Sequence, residues 1–304
     1  MENRCTSLRE ALDGISGILV TPFDVNNKVD GARLRPVVDR AVEAGVHALV
    51  TNGNTSEFYA LTQEESMRAL EISAELIAGR VPLIAGVGKN IQDACSLAVH
   101  ARTHAAAALM IHQPPDPFSS PRGFLEYVKA IAVAGDGLPL VLYLRNENIG
   151  LAAIEELCRL PQVMGIKWAS PTPMLLAEAI RRTKDLDLAW VGGLAETWAP
   201  AFYAVGARGF TSGLINVAPE RSVEIHKALE SSRFDVARNL INEMLPFEEL
   251  RSAENNGANV TVVKAALQLM GNDCGAARPP SAWPLTTPAA VELEKLLRQW
   301  KLID

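Results

Sequence analysis

The 304-residue chain is poor in cysteine: Cys5, Cys95, Cys158 and Cys274 are all it has, and no two form a C-x-x-C pair. Such wide spacing suits neither a thiolate zinc site nor a disulfide framework. No run of 18 apolar residues occurs, so no membrane span is expected. The opening MENRCTSLRE lacks the apolar segment of a signal peptide, which points to a cytoplasmic protein. A charge excess of basic sign is missing too. Twenty-nine Lys+Arg against 35 Asp+Glu give a net charge of −6, which argues against a nucleic-acid partner. No low-complexity linker divides the chain. What remains is ordinary globular composition, 48% hydrophobic and 21% charged.

Short runs rich in β-branched and aliphatic residues alternate with longer amphipathic stretches. Strands are expected to begin near Ile15, His47, Leu83, Ala107, Leu138, Val163, Leu188 and Gly209. Between them, residues 62–78, 92–104, 121–133 and 172–182 read as helices. The first opens on a capping box, Thr62 with Glu65 three places on. Eight β-then-α units fit either a doubly wound sheet or a closed (β/α)8 barrel. No strand is followed by G-x-G-x-x-G, and near-equal units favour the barrel. The alternation then stops, and 234–251, 260–270 and 289–301 read as helices only. The expected architecture is α/β: a (β/α)8 TIM barrel over residues 1–223, with a three-helix extension, 224–304, packed on it.

In such a barrel the chemistry gathers at the C-terminal ends of the strands. Lys167 closes the strand VMGIK, so its stem starts in an apolar layer while its amine points into the mouth. A desolvated amine loses its proton readily and can attack a carbonyl to form a Schiff base. From position alone, a rim lysine paired with a carboxylate fits equally well. Tyr143 ends the preceding strand, where a phenol could relay a proton or simply pack in the core. The loop Gly53-Asn54-Thr55-Ser56-Glu57 offers backbone N–H groups and small polar side chains ahead of a helix, which suits a carboxylate. His100 and His104 are spaced i,i+4 but lack the glutamate of H-E-x-x-H, so they are read as surface histidines and no metal site is expected.

Taken together, GNTSE, the tyrosine of LPLVLY and the lysine of GIK resemble the dihydrodipicolinate synthase/N-acetylneuraminate lyase family of class I aldolases. The resemblance runs nearly end to end. It implies a (β/α)8 barrel with three further helices, commonly a homotetramer built as a dimer of dimers. It also implies that Lys167 forms the Schiff base with pyruvate or another 2-oxo acid, that Tyr143 relays the proton, and that Asn54, Thr55 and Ser56 hold the carboxylate.

The departures from the family pattern are specific. Asn54 replaces the first hydroxyl of the family's G-T/S-T-G-E loop and Ser56 its second glycine. Asn148 stands where synthases carry the arginine for their second substrate. The loop from His112 to Phe118 lacks their interface tyrosine. Glu57-Phe58, the Leu-Thr helix start and Arg145 two places after the tyrosine resemble the 5-dehydro-4-deoxyglucarate dehydratase branch instead. Arg145 could clamp the distal carboxylate of a sugar diacid, or pair with Glu147. Thr211, Ser212 and Asn216 could meet sugar hydroxyls or merely line the barrel.

The expected activity is a Schiff-base lyase, aldolase or dehydratase, acting on pyruvate or a 2-oxo-3-deoxy sugar acid. That chemistry needs no cofactor. Two rivals stand beside it: a genuine 4-hydroxy-tetrahydrodipicolinate synthase, and a barrel that binds a 2-oxo acid without turning it over.

Overall fold

The computed structural model describes residues 7–146 and 148–304, so Cys5 and Glu147 lie outside the described residues. The described residues begin with a short helix, α1 (Leu8–Leu12), opened by a Ser7/Glu10 capping box. Then strands and helices alternate: β1 (Ile15–Ile18), α2 (Gly31–Ala44), β2 (Ala48–Thr51), α3 (Gln63–Ile77), β3 (Leu83–Val87), α4 (Ile91–Thr103), β4 (Ala108–His112), α5 (Pro121–Gly135) and β5 (Leu140–Leu144). The series continues with α6 (Leu151–Cys158), β6 (Val163–Trp168), α7 (Pro173–Arg182), β7 (Ala189–Gly192), α8 (Ala195–Ala204), β8 (Gly209–Ser212) and α9 (Pro219–Glu230). Three helices follow, α10 (Phe234–Ser252), α11 (Asn259–Leu269) and α12 (Thr287–Gln299). The eight parallel strands close in sequence order, β1 pairing with β8, into the (β/α)8 barrel expected.

Each strand begins within two residues of its expected start, because β-branched and aliphatic runs mark these strands clearly. The expected division at 223–224 falls inside α9, the eighth outer helix, so the appended part begins only with α10. That part shares one apolar cluster with the barrel's outer helices, through Met244, Phe247, Val262 and Leu293.

Strand alternation separates an inner cluster from this outer one. Ile18, Ala48, Val50, Ile84, Ala108, Met110, Val141, Tyr143, Ala189 and Val191 face the barrel axis, and Ala11 and Leu12 of α1 plug its lower end. One irregularity has functional weight. Val163 pairs with Leu140 but Gly165 pairs with Val141, so Met164 is an extra residue in β6. Met164 packs against the inner cluster, whereas Val163, Ile166 and Trp168 belong to the outer one. The bulge thus flips the parity of the rest of β6 and turns Lys167 toward the axis.

No helix among the described residues is long and apolar enough to cross a membrane.

Candidate active site

Lys167 and Tyr143 are register partners on β6 and β5, so they arrive side by side at the floor of the barrel mouth. The Lys167 amine lies 3.8 Å from the centroid of the Tyr143 ring, and both residues are buried. Burial, and then the positive charge of Arg145, lowers the Lys167 amine to about 7. The neutral, nucleophilic form of the amine is therefore accessible near neutral pH. Burial pushes the Tyr143 phenol up to about 12, so it keeps its proton. His112 supports the phenol edge-on, with ring centroids 5.1 Å apart. Desolvation, reinforced by the Lys167 charge, holds it near 3 and therefore neutral.

The loop after β2 is held by its own polar atoms. Ser56 Oγ donates to the Leu19 carbonyl (2.5 Å) and accepts from Gly53 N–H (3.0 Å), while Thr21 Oγ1 donates to the Ser56 carbonyl (2.7 Å). Ser56 is thereby committed to shaping the loop and lies outside the cavity lining. Thr55 and Asn54 line the cavity. The Asn54 amide donates to Tyr143 Oη at 2.8 Å. An amide N–H fixes the phenol oxygen but, unlike a hydroxyl, passes no proton onward.

Glu57 adopts a left-handed backbone (φ 58°) and turns away from the mouth. Its carboxylate meets Lys264 Nζ at 2.6 Å and accepts from Arg278 N–H at 2.7 Å, deep in the protein. Asn52, Lys89 and Ala195, also at the strands' C-terminal side, share positive φ without being glycine. Each such residue costs about 1–3 kcal/mol and persists where the surroundings impose it.

A cavity of about 540 Å³ opens above Lys167. Arg145 and Thr211 line it. The Arg145 guanidinium stands 5.9 Å from the Tyr59 ring, and its backbone N–H donates to Gln113 Oε1 at 2.8 Å. Glu147, the alternative partner weighed for Arg145, lies outside the described residues. Ser212 is not in the lining. It faces outward, exchanging a hydrogen bond with Ser222 Oγ at 3.0 Å, because neighbours on one strand face opposite sides. Asn216 is likewise structural: its side chain bonds Val20 N–H and the carbonyls of Ile18 and Gly213. Trp168 packs on the outer face against Trp190.

Sequence reasoning missed the roof. Glu248 and Arg251 of α10 and Asn259 of α11 close one side of the cavity. Arg251 is only 4% exposed, pairs with Glu248, and donates to Asn259 Oδ1 at 2.9 Å. A Cβ at Gly213 would lie 2.3 Å from Arg251 Nη2 and 3.0 Å from Thr55 Oγ1. The missing side chain therefore leaves room for the guanidinium on the side of the Thr55 loop. Lys264 was also missed, though a lysine inside the apolar run VTVVKAAL is a readable signal of a buried partner.

Residues 11–300 match the Dihydrodipicolinate synthetase family. The chain belongs to that family. It is accordingly a lyase of the class I aldolase type. It is 33% identical over 276 residues to a 4-hydroxy-tetrahydrodipicolinate synthase of Methanopyrus kandleri, covering 88% of this chain and 90% of that one. A probable 5-dehydro-4-deoxyglucarate dehydratase of Bacillus subtilis is 27% identical over 297 residues, covering 96% and 95%. The crystal structure of a dihydrodipicolinate synthase from Bacillus clausii superposes with a TM-score of 0.92 at 35% identity, over 97% of this chain and 99% of that one. The family thus includes relatives named for a condensation and for a dehydration.

Proposed function

We propose that this family member is a Schiff-base lyase whose substrate is a 2-oxo-3-deoxy sugar acid, with Lys167 as the nucleophile and Tyr143 as the proton relay. The observation that carries the reading is the buried Lys167 amine, 3.8 Å from the Tyr143 ring, at the floor of a cavity with arginines at its side and roof. The neutral amine adds to the C2 ketone, and Tyr143 hands its proton to the oxygen that leaves as water. The resulting iminium draws electrons from C3. The Tyr143 phenolate takes a C3 proton to give the enamine and returns it to the C4 hydroxyl, which departs as water. Alternatively, the C3–C4 bond itself breaks, the electrons passing to the iminium and the C4 hydroxyl proton to the Tyr143 phenolate. Thr55 and the N–H groups of its loop hold the C1 carboxylate, with the Arg251 guanidinium beside them. Arg145, at the open side, meets the far end of the substrate.

This supports the sugar-acid reading over the synthase one. Asn148 is an exposed loop residue whose backbone N–H bonds Asn146, and it offers no cation for a second substrate. A pure binding barrel would have no use for an amine kept near neutrality by burial. Assembly as a dimer of dimers is part of the same reading. Phe118, on the β4–α5 loop where the family resemblance implies an interface, is 92% exposed, and sedimentation velocity checks the mass. Free thiols at Cys95, Cys158 and Cys274 suit a reducing cytoplasm.

Borohydride trapping with intact-mass analysis tests the mechanism. Incubation with pyruvate, and separately with 2-oxo-3-deoxy sugar acids, should add one acid per chain in the wild type and none in Lys167→Ala. A thermal shift without any adduct would instead favour the binding barrel.

A further inference from the structure

The two histidines read as ordinary surface groups acquire a third partner in the fold. α3 and α4 are neighbouring outer helices, and Glu71 of α3 faces His100 and His104 of α4. One ligating atom from each residue lies within 4.8 Å of the others. His100 Nε2 stands 3.2 Å from Glu71 Oε1, and the two imidazole centroids are 4.1 Å apart. All three side chains are half-buried, and His100 Nε2 itself is out of reach of water with no well-aligned hydrogen bond.

Neighbouring groups already orient two of the three ligands. His104 Nδ1 lies 2.9 Å from the His100 carbonyl oxygen, which can only accept. Nδ1 therefore holds the proton, leaving the Nε2 lone pair free. Arg68 donates to Glu71 Oε2 at 2.9 Å, so Oε1 remains for His100. Outer-shell partners of this kind, a carbonyl behind an imidazole and a cation behind a carboxylate, fix tautomer and direction at metal centres.

We propose that Glu71, His100 and His104 bind one divalent transition-metal ion of the zinc type, clamping α3 to α4. Two imidazole nitrogens and one carboxylate oxygen suit Zn²⁺, Co²⁺, Ni²⁺ or Cu²⁺, whereas Mg²⁺ and Ca²⁺ prefer oxygen alone. Metal–ligand bonds of about 2.0–2.1 Å need ligand atoms roughly 3.3 Å apart, which small side-chain rotations from the present spacing supply. His104 also borders a surface cavity lined by Leu8 and Leu83, at the N-terminal end of β3. The ion thus sits at the opposite end of the barrel from Lys167 and takes no part in imine formation.

Metal-free full-length protein would be titrated with Zn²⁺ by calorimetry and with Co²⁺ by visible absorption. One ion per chain is expected. His100→Gln and His104→Gln should each weaken binding by more than the roughly 10–100-fold that loss of an outer-shell partner costs. Both variants should still trap pyruvate on Lys167, and zinc should raise the melting temperature of the wild type alone. No uptake at millimolar metal, or unchanged affinity in both variants, would overturn the site. Should the variants fold poorly, X-ray absorption on zinc-loaded wild type decides without them. Two imidazoles in the first coordination sphere support the site, and a sulfur ligand moves the ion to a thiol and refutes it.

Discussion

The two ends of the barrel are built from the same eight strands by opposite rules. At the lower end α1 plugs the axis, with Ala11 and Leu12 in the inner apolar cluster, and Leu12 lies close under the glycines of β6 and β8. At the upper end the inward positions are Tyr143, Lys167 and Thr211, the loops carry left-handed non-glycine residues, and a guanidinium is buried in the roof. Apolar closure at one end supplies the stability that the other end expends on a desolvated amine and strained loops. Substitutions at the two ends should therefore separate activity from stability.

The largest separation is expected at Lys167. Lys167→Met should abolish imine trapping and lower turnover by at least about 10³-fold, while raising the melting temperature. The sign follows from linkage. The amine's folded value is about 7 against an ordinary 10.5, so the unfolded chain binds the proton more tightly. Wild-type stability falls as pH drops from about 10.5 to about 7, and the methionine variant lacks that slope. Chemical unfolding at pH 7 and pH 10 checks it.

Next in size is the buried pair that joins the β2 loop to the appended helices. Lys264→Met leaves the Glu57 carboxylate buried with only the Arg278 N–H for a partner, at an expected cost of about 3–5 kcal/mol. The double variant Glu57→Gln/Lys264→Met should recover most of that loss in urea unfolding. If the double variant were no more stable than the single, the ion pair would not be the reason for the cost.

At the lower end, Leu12→Ala opens a hole in the plug. It should cost about 2–4 kcal/mol, and leave the rate of pyruvate trapping per folded molecule unchanged. A slower trapping rate would mean that the plug sets the position of Lys167, which the present division of labour denies.

Much of this contrast was legible in the amino-acid order, because hydrophobic alternation marks buried strands and because the lysine of VMGIK, ambiguous by position alone, falls in line with GNTSE and the tyrosine of LPLVLY in a family pattern. Strand alternation could also have told that Thr211 and Ser212 cannot both face the axis. Other features could not be read. The bulge at Met164 depends on the pairing between strands, and only that pairing settles which way Lys167 points. Ser56 looks like a ligand in the loop motif but is occupied by Leu19 and Gly53. Arg251 and Thr55, nearly 200 residues apart in sequence, both crowd the space a side chain at Gly213 would take, and Glu71 meets His100 across two helices. Contacts of that kind belong to tertiary structure, and no local spacing announces them.

The smallest effect is also the most diagnostic of the upper end. The initial rate of imine trapping should rise with pH through about 7, as the neutral fraction of Lys167 grows. Arg145 is the second cause of that lowered value, after burial. Arg145→Met removes a positive charge that disfavours the ammonium form, so the midpoint should move upward. It should stay below the ordinary lysine value, because the apolar walls remain. In the same variant KM for a sugar diacid should rise while KM for pyruvate, which has no distal carboxylate, should hardly change. A shifted midpoint with both KM values unchanged would leave Arg145 as a tuner of the amine and no clamp for the substrate. An unmoved midpoint with a raised diacid KM would mean the reverse, with burial alone responsible for the reactivity of Lys167.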